Sequence, residues 1–406
     1  MKSITMPLGD QSRERVGQLP ATVRALGWTS FLTDFSSEAI YPLLPGFVKS
    51  LGGSGFDIGL IDGLANAVAA VVRLPAGMLS DTFGRRPLVL FGYGLSALVR
   101  PLMGLVATPL AAVLVRTADR FGKGIRSAPR DALVADLVPA ADRGRAFGHI
   151  RALDHAGAAV GPLVAMLFLL AFPGAERRLF LLTLLPGLAT LAVIWRFVRD
   201  PNPPAVAAQP APAGRLSRPQ AALLSCVAVW ALGASSEQFL LLRVSSLGLP
   251  AAFVPLVWFV MSLAKGAAAA RAGRLADGLS PRLVLATGWL LFAAAYGGLA
   301  WATHLWATVA LVVAVGVAYG IAEPAERALV AALAPDGRQG GAFGWYALVQ
   351  GLMALPAGLA AGWLWDRGPD GPTAAFLLTA GLALAASCLL ALTGSRRLAA
   401  GVSAAG

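Results

Sequence analysis

The chain has 406 residues, 57% of them hydrophobic and 13% charged, with a mean hydropathy of +0.69. That composition excludes an ordinary soluble domain, and uncharged runs such as 88–99, 179–195 and 283–302 indicate a polytopic helical protein of the lipid bilayer. The net charge of +12 is read as basic cytoplasmic loops rather than as a nucleic-acid surface, and Cys226, Cys388 and the scattered His149, His155 and His304 exclude a disulfide framework and a metal site.

Residues 1–23 form a polar tail without a signal-peptide core, so the first apolar segment is expected to act as an uncleaved anchor. Twelve transmembrane helices are predicted, at about 24–48, 56–79, 86–107, 110–137, 144–172, 178–198, 219–242, 251–274, 282–302, 306–333, 340–364 and 373–394. Residues 199–218, rich in Pro and Ala, form a linker between a half at 24–198 and a half at 219–394, and 395–406 form a tail. Arg85, Arg86, Arg143, Arg145, Arg199, Arg215, Arg282 and Arg338 fall on one side of this pattern, with Lys49, Arg177, Arg178 and Arg367 on the other. Both termini are therefore expected in the cytoplasm.

The first helix carries Asp34 and Glu38 one turn apart, with Tyr41 a turn beyond. The loop after the second reads GMLSDTFGRRP (77–87). The fourth carries RTADRFGKGIRSAPRD (116–131), whose charges Arg116, Asp119, Arg120, Lys123, Arg126, Arg130 and Asp131 fall within an arc of about 140° at 100° per residue. Facing lipid, the five from Arg116 to Arg126 would cost roughly 12–17 kcal/mol together, so the stripe faces water or partners inside the bundle. The fifth helix carries Arg151, Asp154 and the run GAAVGP, in which Gly157 and Gly161 permit close packing and Pro162 a bend. Glu237 lies on the seventh, Lys265 on the eighth, and Tyr319, Glu323, Glu326 and Arg327 on the tenth.

The halves repeat. Ala132-Leu133-Val134-Ala135 aligns with Ala328-Leu329-Val330-Ala331, and the same offset matches Gly77, Leu79 and Asp81 with Gly273, Leu275 and Asp277. A duplicated architecture places the working site between the halves. By depth, Asp34 and Glu38 are expected to meet Arg116 and Arg120 near the midplane, while Arg126 and Arg130 form a latch with Glu323 and Glu326. Asp131 and Arg327 complete the inverted sign pattern.

Gly77, Leu79, Asp81, Gly84, Arg85 and Arg86 resemble the G-x-L-x-D-x-x-G-R-R signature of the major facilitator superfamily, and GRLADGLSPRL (273–283) is similar to a second copy that keeps Gly273, Asp277 and Arg282. The resemblance implies an all-α fold of two pseudo-symmetric six-helix halves, with these residues as a cytoplasmic gate; Asp81 and Asp277, in equivalent loops, are each expected to cap a neighbouring helix in the outward-open state. Arg120-x-x-x-Gly124 resembles the superfamily's arginine motif, which is associated with proton coupling; acids beside cations near the midplane make Asp34, Glu38, Arg116 and Arg120 the proton-coupling candidates. GAAVGP resembles the G-x-x-x-G-P motif of its drug–proton antiporters. TDFSSEAIYPLLP (33–45) and DRFGKGIRSAPRDAL (119–133) resemble a bacterial subgroup.

The expected function is secondary active transport of a small-molecule substrate across the bacterial cytoplasmic membrane, by a monomer without cofactor, as proton-coupled export. Candidate cavity residues are Tyr41, Lys123, Arg126, Asp154, Glu237, Tyr319 and Glu323. Alternatives are transport of an anionic solute or metal chelate and, in another class, a non-transporting receptor or assembly factor. No enzyme motif is present in the sequence.

Overall fold

The computed structural model describes residues 19–139, 142–200, 216–234, 236–275, 280–334 and 339–403, and every element among them is helical. The first half comprises α1 (Ala21–Ile40), α2 (Leu44–Ser50), α3 (Gly55–Phe83), α4 (Arg85–Val99), α5 (Pro109–Leu137), α6 (Arg143–Ala171), α7 (Glu176–Leu182) and α8 (Leu184–Phe197). The second comprises α9 (Arg218–Gly233), α10 (Gln238–Ser246), α11 (Val254–Leu275), α12 (Pro281–Trp301), α13 (Leu305–Ala332), α14 (Gln339–Trp365) and α15 (Gly371–Ser403). Ten of the described segments are long and apolar enough to cross a membrane. The α1–α2 and α5 rods fall outside that set because each carries too many charged or polar residues, which the bundle interior accommodates.

Three predicted helices are interrupted. The first breaks into a 3-10 turn at Tyr41–Leu43, where Pro42 and Pro45 remove backbone donors. The sixth divides between α7 and α8 at Thr183, whose hydroxyl donates to the Phe180 carbonyl at 2.6 Å. The seventh stops at Gly233 and restarts at Gln238, where the Ser236 hydroxyl accepts from the Gln238 amide at 3.2 Å and substitutes for a helical bond. The last helix, predicted to end at 394, continues to Ser403.

The duplication is visible in the helix starts. Arg85 and Pro281, Pro109 and Leu305, and Arg143 and Gln339 open α4 and α12, α5 and α13, and α6 and α14 with one common displacement, the one that aligns Ala132 with Ala328. Within each half the charged or central helix packs against its neighbours, α5 on α3 and α4, and α13 on α11 and α12.

Two ends of the bundle can be distinguished. The proximal end holds Pro20, Gly84 and Asp200; the distal end holds Leu51, Gly174, Leu247 and Asp366. The halves join along α3 with α14 and α6 with α11, and at the distal end through α2 with α10. The α3–α14 seam is backbone against backbone. A Cβ on Gly59 would lie 2.5 Å from the Gly358 carbonyl carbon, and one on Gly362 would lie 2.7 Å from the Phe56 Cα. From Gly55 to Ala70, which faces Gly351, the seam runs roughly 22 Å at 1.5 Å per residue. At its distal tip the Asp366 carboxylate accepts from the Gly55 and Phe56 amides at 2.7 and 2.9 Å, with Lys49 Nζ 3.9 Å away. One half thus caps a helix N-terminus of the other, where the helix dipole favours an anion.

Candidate central cavity

The polar interior begins with Arg100, at the end of α4. It donates to the Thr33 carbonyl at 3.1 Å, to the Ser36 hydroxyl, and to Asp119 at 2.9 Å. Arg116 lies 3.8 Å from Asp119 and 3.7 Å from Asp62. Asp62 in turn accepts from the Tyr41 hydroxyl at 2.6 Å and, across the halves, from the Ser236 hydroxyl at 2.7 Å. All four charged groups are buried, so their mutual pairing is what makes the burial tolerable. The guanidinium of Arg116 also stands over the Tyr41 ring, 5.1 Å from its centroid.

This chain corrects one expectation. Arg116 pairs with Asp62 and Asp119, on α3 and α5, and makes no bond to Asp34 or Glu38. Asp62 was missed in the sequence, although a lone carboxylate in the apolar run IGLIDGLANAV marks a costly group that needs a partner. Arg100 was missed for the same reason.

Glu38 reaches the other half: the Trp258 indole N–H on α11 donates to it at 2.9 Å. Tyr41 and Trp258 pack ring to ring at 4.8 Å. Tyr41 is therefore part of a closed roof joining α1, α3, α9–α10 and α11. Below that roof, Lys123 is solvent-exposed while Asp34, Glu38, Arg120, Glu237 and Glu323 are partly accessible. The charges of Asp34, Glu38, Arg120 and Arg126 all act on Lys123, and those of Lys265, Asp62, Glu38 and Glu323 act on Glu237. Among the described residues, the side chains of Asp34, Arg120, Lys123 and Glu237 make no hydrogen bond or ion pair.

The remaining candidates are committed elsewhere. Arg126 is buried, donates to the Ser96 hydroxyl at 2.7 Å and lies over the Tyr93 ring at 4.5 Å, so it holds α5 to α4. Asp154 is buried 3.6 Å from Arg151. Tyr319 packs against Trp230 and Phe292 and receives Lys265 Nζ at 4.8 Å, while Lys265 and Arg327 lie 3.7 and 2.9 Å from Glu323. Gly157 and Gly161 set α6 against the α1 backbone; a Cβ on Gly161 would stand 3.0 Å from the Ala39 nitrogen, and Pro162 follows inside the helix.

The latch residues do not meet in this conformation. Arg130 donates to Asp131 at 3.0 Å and to the Ser30 hydroxyl at 2.9 Å, and Asp131 lies 3.5 Å from Arg73. Glu326 is buried and accepts from Gln350 at 3.4 Å, and Arg327 stays with Glu323. Among the described residues no hydrogen bond or ion pair joins the halves at the proximal end, and each of these charges is satisfied within its own half. Among the described residues, every hydrogen bond or ion pair between the halves lies at the roof or the distal tip.

At the gate loop, α3 runs through Asp81 to Phe83 and turns at Gly84, whose φ of 88° suits glycine. In this conformation Asp81 lies within its own helix and bonds Arg85 instead of capping α4; Asp200 takes that place, accepting from the Arg86 amide at 2.8 Å. Arg85 also bonds Ser80 and Asp136, Arg86 donates to the Trp195 carbonyl at 3.2 Å, and Gly77 faces Ala128 on α5. The motif clamps α3, α4, α5 and α8 together within one half. In the second copy, Gly273 falls near the end of α11 and Arg282 is the second residue of α12, while Asp277 lies outside the described residues.

Comparison with known proteins agrees with this architecture. A family model described as Major Facilitator Superfamily matches residues 26–264 and 221–405. An uncharacterized MFS-type transporter of Methanocaldococcus jannaschii is 30% identical over 369 residues, covering 89% of this chain and 92% of its own. The crystal structure of the nucleoside transporter NupG superposes with a TM-score of 0.77 at 13% identity, over 91% of this chain and 99% of that one. A bacterial homologue of the human lysosomal transporter Spinster, in an inward-facing and unoccupied conformation, superposes with a TM-score of 0.72 at 15% identity, over 93% and 96%.

Proposed function

This chain belongs to the major facilitator superfamily of transporters, and from that premise we propose that it exports a small organic solute across the bacterial cytoplasmic membrane in exchange for protons. The observation that carries the reading is the one-sidedness of the bonds between halves: among the described residues all of them lie at the distal end and the roof, and none at the proximal end. The proximal loops hold Arg85, Arg86, Arg143, Arg145 and Arg199, and the basic-inside rule assigns that end, and with it both termini, to the cytoplasm. A cavity open to the cytoplasm loads from within, as export requires.

Alternating access follows from the construction. To open the distal end, the α3–α14 seam must part, Asp366 must leave the α3 N-terminus, and Trp258 and Ser236 must release Glu38 and Asp62. In exchange the proximal ends approach, where Arg130 and Glu326 can pair as the latch and the Asp81–Arg85 clamp forms one jaw. Asp34 and Glu38 are the coupling groups of this scheme: both are carboxylates below the roof in electrostatic reach of Lys123, and Glu38 loses its Trp258 donor whenever the roof opens. A scaffold that does not transport has no use for such charges. The second reading, an anionic solute, is favoured by the uncommitted Arg120 and Lys123.

The test follows one cysteine in the cavity. With Cys388→Ser, since Cys226 is buried, Ser127→Cys, one turn from Lys123 on the same face of α5, in sealed vesicles is labelled by a membrane-impermeant maleimide from either face. An imposed pH gradient shifts which face reacts, and Asp34→Asn with Glu38→Gln removes the shift. An unchanged response in the double variant overturns the coupling assignment.

A further inference from the structure

We propose that the cavity binds a zwitterionic organic solute bridging the two halves, its anionic group held by Arg120 and Lys123 and its ammonium group by Glu237. The proposal rests on the transporter reading and names its substrate class.

The first ground is the set of charges left over. Below the roof, Arg116, Arg126 and Arg130 are engaged by their own half, as are Lys265 and Glu323 in the other. Among the described residues Arg120, Lys123, Asp34 and Glu237 are not, and the Arg120 Nε is a buried donor without a hydrogen-bond partner.

The second ground is placement. Arg120 and Lys123 stand one turn apart on α5, on the same face. Glu237 stands on the other half, where α9 gives way to α10. Glu38, fixed in the middle by Trp258, links the two: it feels the charge of Arg120, and its own charge acts on Lys123 and on Glu237.

The third ground is the match of sign. Arg120 and Lys123 on the α5 wall have no ion-pair partner among the described residues, and Glu38, which stands between the walls, is hydrogen-bonded to Trp258. Glu237 is countered only at a distance by Lys265, which Glu323 already holds. A solute with one negative and one positive group therefore gives the cations of α5 and the carboxylate of the other half a partner each, whereas an anion or a cation alone leaves one of them unpaired. Because the walls belong to different halves, only a solute carrying both charges draws them together, which makes charge matching the trigger for closure as well as for binding.

The experiment uses the full chain in lipid nanodiscs and two matched triads: L-phenylalanine, 3-phenylpropionate and 2-phenylethylamine; and 5-aminopentanoate, pentanoate and pentylamine. Binding is read by calorimetry. In at least one triad the zwitterion is expected to bind roughly tenfold or more tightly than either partner, from one charged hydrogen bond gained on each wall. Glu237→Gln brings it down to the level of the acid, and Lys123→Gln to that of the amine, at melting temperatures near the parent's. If acid and zwitterion bind alike and Glu237→Gln changes nothing, the site is an anion site and the proposal falls. If no zwitterion exceeds its partners while the cavity cysteine still switches faces under a pH gradient, the proposal falls and the transporter reading stands. If that cysteine reacts from one face under every condition, the transporter reading itself falls.

Discussion

Gly59→Leu tests whether the α3–α14 seam is what seals the distal end. The glycine's missing side chain is filled by the Gly358 backbone, with the carbonyl carbon 2.5 Å and the Cα 3.3 Å from where a Cβ would stand. Backbone cannot move aside as a flexible side chain can, so the helices must separate. Overpacking of this kind costs about 1–3 kcal/mol, and here the cost falls only on the state in which the seam is closed. The equilibrium between inward- and outward-open forms should move roughly 5–150-fold toward outward-open. Spin labels on the distal ends of α2 and α10 report this as a population at longer distance, and Ser127→Cys gains reactivity from outside. Gly46→Ala, whose Cβ meets nothing within 4 Å, is the control and should change neither. If Gly59→Leu folds, keeps the short distance and leaves labelling unchanged, the seam is not the seal.

Asp366→Ala removes the cap on α3 and should destabilise the distal closure by about 0.5–2 kcal/mol, seen as faster amide exchange at Gly55 and Phe56. Asp119→Asn leaves Arg100 and Arg116 without their shared carboxylate. It should cost about 3–5 kcal/mol of stability in a thermal melt, and Arg100→Met combined with it should recover part of that loss. Arg130→Glu and Glu326→Arg should each impair the outward-open form. The double exchange should restore it if the latch forms there, and a double variant no better than either single one refutes the latch.

The sequence reveals the helices and the duplication because lipid imposes length and hydropathy on every spanning segment, and a repeat offset survives wherever both halves keep the same motif. Charge partners are less legible. The α5 stripe announces that its side chains face inward, yet not that Arg116 would choose Asp62 over Asp34, since that depends on how α3 is rotated against α5. The gate loop reads as a cap because Asp81 precedes a predicted helix; the extension of α3 to Phe83 moves that carboxylate a turn back, and Asp200 takes the role. The seam was visible as Gly55, Gly59 and Gly63 spaced by four, facing Gly358 and Gly362, but spacing alone does not say which helix lies opposite. The latch depends on conformation, so a single sequence lists its members without saying when they meet.

The one-sided bonding between halves also bears on how ligands should be sought. In this conformation the bonds that seal the distal mouth are already made, so a compound that only deepens this arrangement raises the melting temperature and slows the cycle. A true substrate must surrender part of its binding energy to part the seam, and its thermal signature is correspondingly modest. Ranking a library by melting temperature would place arrested inhibitors above transported compounds, and the two lists, melting shift and flux, should run in opposite order for ligands of equal size.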